Sequence, residues 1–258
     1  MPSIASVAIV EAVSRVPESQ GGVKLLLEFG RKLSREHAPA PPGTTVKVTG
    51  LFRNVPARLK FLGSPGAELT RISQLVASLA LVHPAVAFNL TSDGEPRLAT
   101  PGGGDRLAAL AAVYGAAVAR AMVRVEADPA AAFAVEGLVS SPELSRSSRN
   151  YITLSVNGRW VHSRRLTFAV EQAFHGFLPE RRFPVAVLEI KTPFEDVDVN
   201  VHPAKAEVRF LREDLVFGEL QRAIRGALSG RAHVRPVSLA GGRAGPPAAF
   251  GAARGGGA

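Results

Sequence analysis

Asn157 and Gly158 stand between two short stretches of strand-forming residues, Tyr151 to Val156 and Trp160-Val161. Both residues tolerate the positive φ angles that a type I′ turn demands, so this segment is committed to an antiparallel hairpin and the chain to a sheet. The neighbouring segments keep the same rhythm. Phe133 to Val139, Pro184 to Ile190, Val197 to Val201 and Glu207 to Phe210 read as strands. Leu166, Val170, Ala173 and Phe174 fall at helical spacing before Gly176, and Leu215 to Leu228 forms a last helix. Asp105 is placed to cap a helix over Leu107 to Tyr114 that Gly115 closes.

The first hundred residues mix the same two periods. Val7 to Val10 and Val23 to Leu27 read as short strands around the Gly21-Gly22 turn, with no helical start signal before Ser3. After the Pro39 to Gly43 turn, Val46 and Val48 alternate with Thr45, Lys47 and Thr49 in a half-buried strand over Thr44 to Phe52. Pro56 opens a short helix, Ala57 to Leu62. From Glu68 to Val82, Leu69, Ile72, Leu75, Val76 and Leu79 are spaced as the buried stripe of an amphipathic helix, which His83-Pro84 stops. Val86 to Leu90 reads as a strand leading to an Asp93-Gly94 turn, and Thr100 to Gly104 as a hinge between domains. From Arg231 onward Gly, Ala, Pro and Arg dominate without period, as in a disordered linker.

With 258 residues and no cysteine, stability has to come from a packed core, and disulfides, thiolate nucleophiles and cysteine-based metal sites are excluded. Lys and Arg number 31 against 22 acidic residues, a balance that favours a polyanionic partner. No apolar run approaches the ~20 residues needed to span a bilayer, so a cytoplasmic protein with no membrane partner is expected. The chain lacks G-x-S-x-G, H-E-x-x-H and a Walker loop, and its six histidines show no metal-ligand spacing. No catalytic residue and no metal site is assigned within it.

Four motifs carry a resemblance. Gly43-Thr44-Thr45-Val46 is followed by Leu51-Phe52-Arg53-Asn54-Val55-Pro56-Ala57-Arg58-Leu59-Lys60-Phe61-Leu62; Thr100 to Asp105 is followed by Val113-Tyr114-Gly115. Ser145-Arg146-Ser147-Ser148-Arg149 then leads to Val156-Asn157-Gly158-Arg159, and Asp196-Val197-Asp198-Val199-Asn200-Val201-His202-Pro203-Ala204-Lys205-Ala206-Glu207-Val208-Arg209-Phe210 comes last. In this order they resemble the MutL family of DNA mismatch-repair proteins. The resemblance implies an α+β chain in three parts. Residues 1–104 are the end of a GHKL ATPase α/β sandwich, 105–230 a transducer domain with a ribosomal-protein-like β-α-β fold, and 231–258 a linker. It also implies an ATP-gated homodimeric clamp that uses ATP and Mg and relays mismatch recognition by MutS to nicking. The nick is made by a separate mismatch-repair endonuclease or by the family's own carboxy-terminal nuclease domain. The family's water-activating Glu, magnesium-holding Asn, adenine-reading Asp and glycine-rich phosphate loop belong ahead of the region that Met1 to Val7 resembles. The chain is therefore expected to be truncated at both ends, with ATPase activity belonging to the full-length form.

The resemblance assigns ATP contacts to Thr44, near adenine, and to Lys205, at the γ-phosphate. Read from the residues alone, Gly43-Thr44 is a turn entering a strand and Lys205 a solvated loop cation held behind Pro203, and it is the surrounding motifs that reverse both readings. Asp196 and Asp198 read as the polar face of a strand. From Ser145 to Arg165, Arg146, Arg149, Arg159, Arg164 and Arg165 occur with no acidic residue and with Tyr151 and Trp160 among them. They are the candidate DNA contacts, since guanidinium groups bind phosphate oxygens bidentately; a solvated basic hairpin is the bland alternative. Two other functions fit parts of the pattern: a non-enzymatic basic nucleic-acid-binding module on a transducer fold, and a topoisomerase fragment sharing that fold.

Overall fold

The computed structural model describes residues 2–129, 131, 133–198 and 208–230. By contact it separates into two compact units, Met1–Glu68 and Leu69–Ala258. The class is α+β.

In the first unit a short helix, α1 (Pro2–Ala5), precedes four strands, β1 (Ile9–Arg15), β2 (Gly22–Glu28), β3 (Arg31–Ala38) and β4 (Gly43–Thr49), and a second short helix, α2 (Pro56–Lys60). The strands form one antiparallel sheet in the order β3-β2-β1-β4. Two elements depart from expectation. Pro2 starts α1 although no helical signal precedes Ser3; proline's fixed φ suits a first helical position. The polar segment Arg31–Ala38 pairs as the edge strand β3, turned back by Phe29 and Gly30 at φ 44° and 87°. A charged strand is tolerated at an edge, where its side chains meet water. The Leu51 to Asn54 motif is anchored on the strand entry: Phe52 N donates to Val7 O at 2.8 Å and Asn54 Nδ2 to Ser6 O at 3.0 Å. Ala5, Ala8 and Val10, with Leu27 packed on them, form a small core.

The second unit is built on a five-stranded sheet. Helix α3 (Pro65–Val82) begins at the division between the units and leads to a hairpin, β5 (Asn89–Ser92) and β6 (Glu95–Ala99), then α4 (Arg106–Tyr114) and α5 (Ala116–Arg120). The sheet follows as β7 (Met122–Val125), β8 (Ala134–Ser140), β9 (Ile152–Val156), β10 (Arg159–Val161) and, after α6 (Arg164–Ala173), β11 (Ala186–Lys191). Its order is β10-β9-β11-β8-β7. Only β9 and β11 run parallel, and α6 supplies the crossover that a parallel pair requires. A two-stranded ladder, β12 (Val197–Asp198) with β13 (Arg209–Phe210), precedes the last helix, α7 (Glu213–Ser229).

Alternation along the strands sends side chains into two cores. Leu154, Val156, Ala186, Leu188 and Ile190 pack with Leu166, Val170 and Ala173 of α6 and Val216, Leu220 and Ile224 of α7. On the other side Leu138 and Val187 pack with Ala77, Ala80 and Leu81 of α3, Leu98 of β6, and Leu110 and Val113 of α4. Because α3 and β6 share this second core with α4, the contact division falls after Glu68, ahead of the 100–104 stretch.

Further differences follow from packing. Helix α3 buries Ser73, Ala77, Ala80, Leu81 and Val82 and leaves Ile72 and Leu75 49% and 44% exposed; of the expected stripe, Val76 packs against the core. Val86 lies in a turn, its N–H donating to His83 O, and the strand starts at Asn89 instead. Asp105 accepts from Leu107 N at 2.8 Å and Gly115 adopts φ 93°, as the capping pattern requires. Asn157 and Gly158 adopt φ 48° and 76°, the two positive angles of the I′ turn. No described helix is long and apolar enough to cross a membrane. Lys205, the strand expected through Val201, and the 231–258 stretch lie outside the described residues.

Candidate nucleic-acid interface

The arginines between Ser145 and Arg165 separate into two groups. Arg146 belongs to the loop between β8 and β9, where its N–H donates to Phe183 O at 2.7 Å and accepts the reverse bond at 2.8 Å through its own carbonyl. Its guanidinium lies 5.1 Å from the Tyr151 ring centroid, and Tyr151 in turn sits 5.3 Å from Tyr114. Arg149 Nε and Nη2 donate to the two carboxylate oxygens of Glu171 on α6, the second at 3.0 Å, and its guanidinium covers the Phe183 ring at 4.9 Å. These two arginines clamp the loop to the sheet and to α6. Arg165 is held as well: it binds Asp214 and approaches Glu213 at 3.6 Å, both in the first turn of α7, while stacking on Phe217 at 5.8 Å.

Arg159 and Arg164 are different. Arg159 opens β10 and Arg164 opens α6; both side chains are exposed, and neither has a carboxylate partner among the described residues. Their places are set by local rules. The I′ turn delivers Arg159 at the start of the return strand, and Ser163 caps α6 by accepting from Leu166 N at 3.2 Å. The short stretch between them carries Trp160, half-buried, and His162, with ring centroids 6.5 Å apart.

Trp160, His162 and Arg164 share a cleft of about 650 Å³ with Arg71 and Gln74 of α3, Asn150 and Glu171. The contribution of α3 is not visible in the local sequence, because the polar positions of an amphipathic helix look like solvated surface. Nor are Glu171, Glu213 and Asp214 as arginine partners, since the ion pairs span 22 and 49 residues for Arg149 and Arg165 with Asp214. No group of three or more His, Asp or Glu side chains among the described residues is arranged to hold a metal ion.

Beneath the clamped loop, burial pushes the Tyr114 phenol up to about 12. Thr153 and Arg146 draw it the other way, but the Thr153 hydroxyl makes no hydrogen bond of normal geometry, and burial dominates. Thr44, on the exposed edge strand β4, shares a 2.8 Å hydrogen bond with the Ser14 hydroxyl opposite it; either can donate. Asp196 is not on a strand but in a single 3₁₀ turn, where its buried carboxylate accepts from Arg212 Nη2 at 2.7 Å. Asp198 follows on β12.

Residues 110–229 match the model of the DNA mismatch repair protein C-terminal domain. The MutL of Geobacillus kaustophilus (strain HTA426) is 44% identical over 238 residues, covering 92% of this chain. The chain belongs to the MutL family. It spans 38% of the length of that MutL relative. Among solved structures, the N-terminal domain of a DNA repair protein superposes with TM-score 0.77 at 21% identity, over 89% of this chain and 74% of that one. The Aquifex aeolicus MutL ATPase domain complexed with ADP superposes with TM-score 0.59 at 23% identity, over 74% and 70%. These structural likenesses are likenesses of fold, and they agree with the α+β class.

Proposed function

We propose that the chain serves DNA mismatch repair as part of an ATP-gated dimeric MutL clamp that relays mismatch recognition by MutS to strand nicking. The nick would be made by a separate endonuclease or by the family's own carboxy-terminal nuclease domain. The observation that carries this reading is the 44% identity to a MutL across 92% of the chain. In this reading residues 1–104 complete an ATPase domain, 105–230 form the transducer and 231–258 begin a linker.

DNA would be met by the second unit. Arg159 and Arg164 are exposed without carboxylate partners among the described residues, so each can exchange water for a phosphate without first breaking an ion pair. Arg146, Arg149 and Arg165, which are stacked or ion-paired within the unit, would shape the surface and contribute little to phosphate binding. Such contacts position a duplex and carry no sequence information. ATP, with magnesium, would be held by the full-length protein, to which this chain would contribute Thr44 and Lys205. The likeness to a MutL ATPase domain solved with ADP favours nucleotide binding. The Thr44 hydroxyl keeps a lone pair beyond its bond to Ser14, as an adenine-side water network requires. Lys205 would meet the terminal phosphate as a point charge.

The test is a chimera in which this chain replaces the matched segment of the Geobacillus kaustophilus MutL in a strain lacking its own. The expected result is a mutation frequency lowered towards that of the intact strain. In the purified chimera Lys205→Ala should slow ATP hydrolysis while ADP affinity stays nearly intact, because ADP lacks the group that the lysine meets. A stably expressed chimera that leaves the mutation frequency at the level of the deficient strain contradicts the reading.

A further inference from the structure

The cleft beside β10 has features that phosphate binding does not use. Its volume of about 650 Å³ lies within the roughly 300–1,000 Å³ of clefts that take small molecules. Trp160 forms part of its wall, Leu75 and Phe168 add apolar surface, and Gln74 and Asn150 bring amides to the same space. Arg164 also lines it and has no carboxylate partner among the described residues. Glu171 lines the cleft too, but both its oxygens are taken by Arg149, so its charge is matched before any anion arrives. An aromatic face, amides able to donate and accept, and an unengaged guanidinium are the groups an unstacked nucleotide uses. The base lies on the ring, its edge meets the amides and its phosphate meets the cation. A paired base inside a duplex has both faces covered by its neighbours and cannot use such a wall.

We infer that this cleft accepts one unstacked base of single-stranded DNA on Trp160, with an adjoining phosphate on Arg164. The inference rests on the proposed DNA contact and adds to its phosphate contacts, at this cleft, a site for one unpaired base.

Trp160 is the only tryptophan in the chain, so its emission reports on the cleft alone. The full chain is titrated with oligothymidylate, with an abasic strand carrying the same number of phosphates, and with a blunt duplex. Oligothymidylate should quench the emission and bind at least about fivefold more tightly than the abasic strand, the lower end of what one base–aromatic stack contributes. Trp160→Ala should bring the thymidylate-to-abasic affinity ratio to about one, while Trp160→Phe, which keeps a ring, should retain most of it. If the alanine variant does not fold, the quenching of the unaltered chain and the phenylalanine variant still decide. Equal affinity for the two single strands with unmoved emission, alongside salt-dependent duplex binding, overturns the base site and leaves the DNA contact standing. Failure of all three probes to bind overturns both.

Discussion

Asn157 holds the chain at two levels at once. Its backbone takes the positive φ of the hairpin turn, while its side chain donates through Nδ2 to Thr192 O at 2.9 Å and accepts from Thr192 N at 3.0 Å, closing a ring with the end of β11. Asn157→Gly keeps the turn and removes only the ring, and should lower stability by about 1–3 kcal/mol, read from the urea midpoint; an unmoved midpoint would show the ring to be dispensable. Tyr114 makes a prediction in pH. Its folded pKa is raised by burial to about 12, against roughly 10 for an unperturbed phenol. Below the unfolded value the phenol is neutral in both states and its contribution is fully present. As pH rises from about 10 to 12 the unfolded chain gives up the proton while the folded chain retains it, so stability falls, by on the order of 2 kcal/mol from this group. Tyr114→Phe should remove that part of the alkaline loss, as measured by denaturant melts across this range, and an identical loss in the variant would place its cause elsewhere. Gly137 is constrained from outside: at φ 142° on β8, an added Cβ would stand 2.1 Å from Val187 O on the neighbouring strand, contact that no side-chain movement relieves.

At the scale of elements, α6 is the crossover of the β-α-β unit and carries Arg164 and Arg165 in its first turn. Ser163→Ala removes its cap and should cost about 1 kcal/mol, with Ser163→Asp restoring most of it, in thermal melts of the three chains; equal melting of the serine and alanine chains would mean the cap is not needed. What could be read from sequence was what local chemistry determines. The I′ turn at Asn157-Gly158, the cap at Asp105 and the close at Gly115 each depend on a handful of consecutive atoms, and each stands where the residues put it. What could not be read depends on partners far along the chain. The stripe of Ile72 and Leu75 has helical spacing, yet the core takes the neighbouring face of Ala77, Ala80 and Leu81. The segment Arg31–Ala38 has too few apolar positions to announce a strand, and pairs because β2 offers it a free edge. The arginine stretch looked uniformly basic because its carboxylates, Glu171, Glu213 and Asp214, lie outside it. Sequence could nominate five arginines and the structure distinguishes two.

Across the whole molecule the net charge of +9 favours a polyanion, but the excess alone says nothing of where one would bind. The pattern of ion pairs is more selective: Arg149 and Arg165 are neutralised within the second unit, Arg146 is stacked inward, and Arg159 and Arg164 have no carboxylate partner among the described residues. Each phosphate contact releases counterions and contributes about −0.9 to the slope of log affinity against log salt. The most direct test is therefore that slope for a blunt duplex, measured with the unaltered chain, the Arg159→Gln/Arg164→Gln variant and the Arg165→Gln variant. The double variant should flatten the slope by about two units, and Arg165→Gln should leave it nearly unchanged. A slope unmoved in the double variant, or flattened as much by Arg165→Gln alone, would contradict the assignment of DNA binding to the two unpaired arginines.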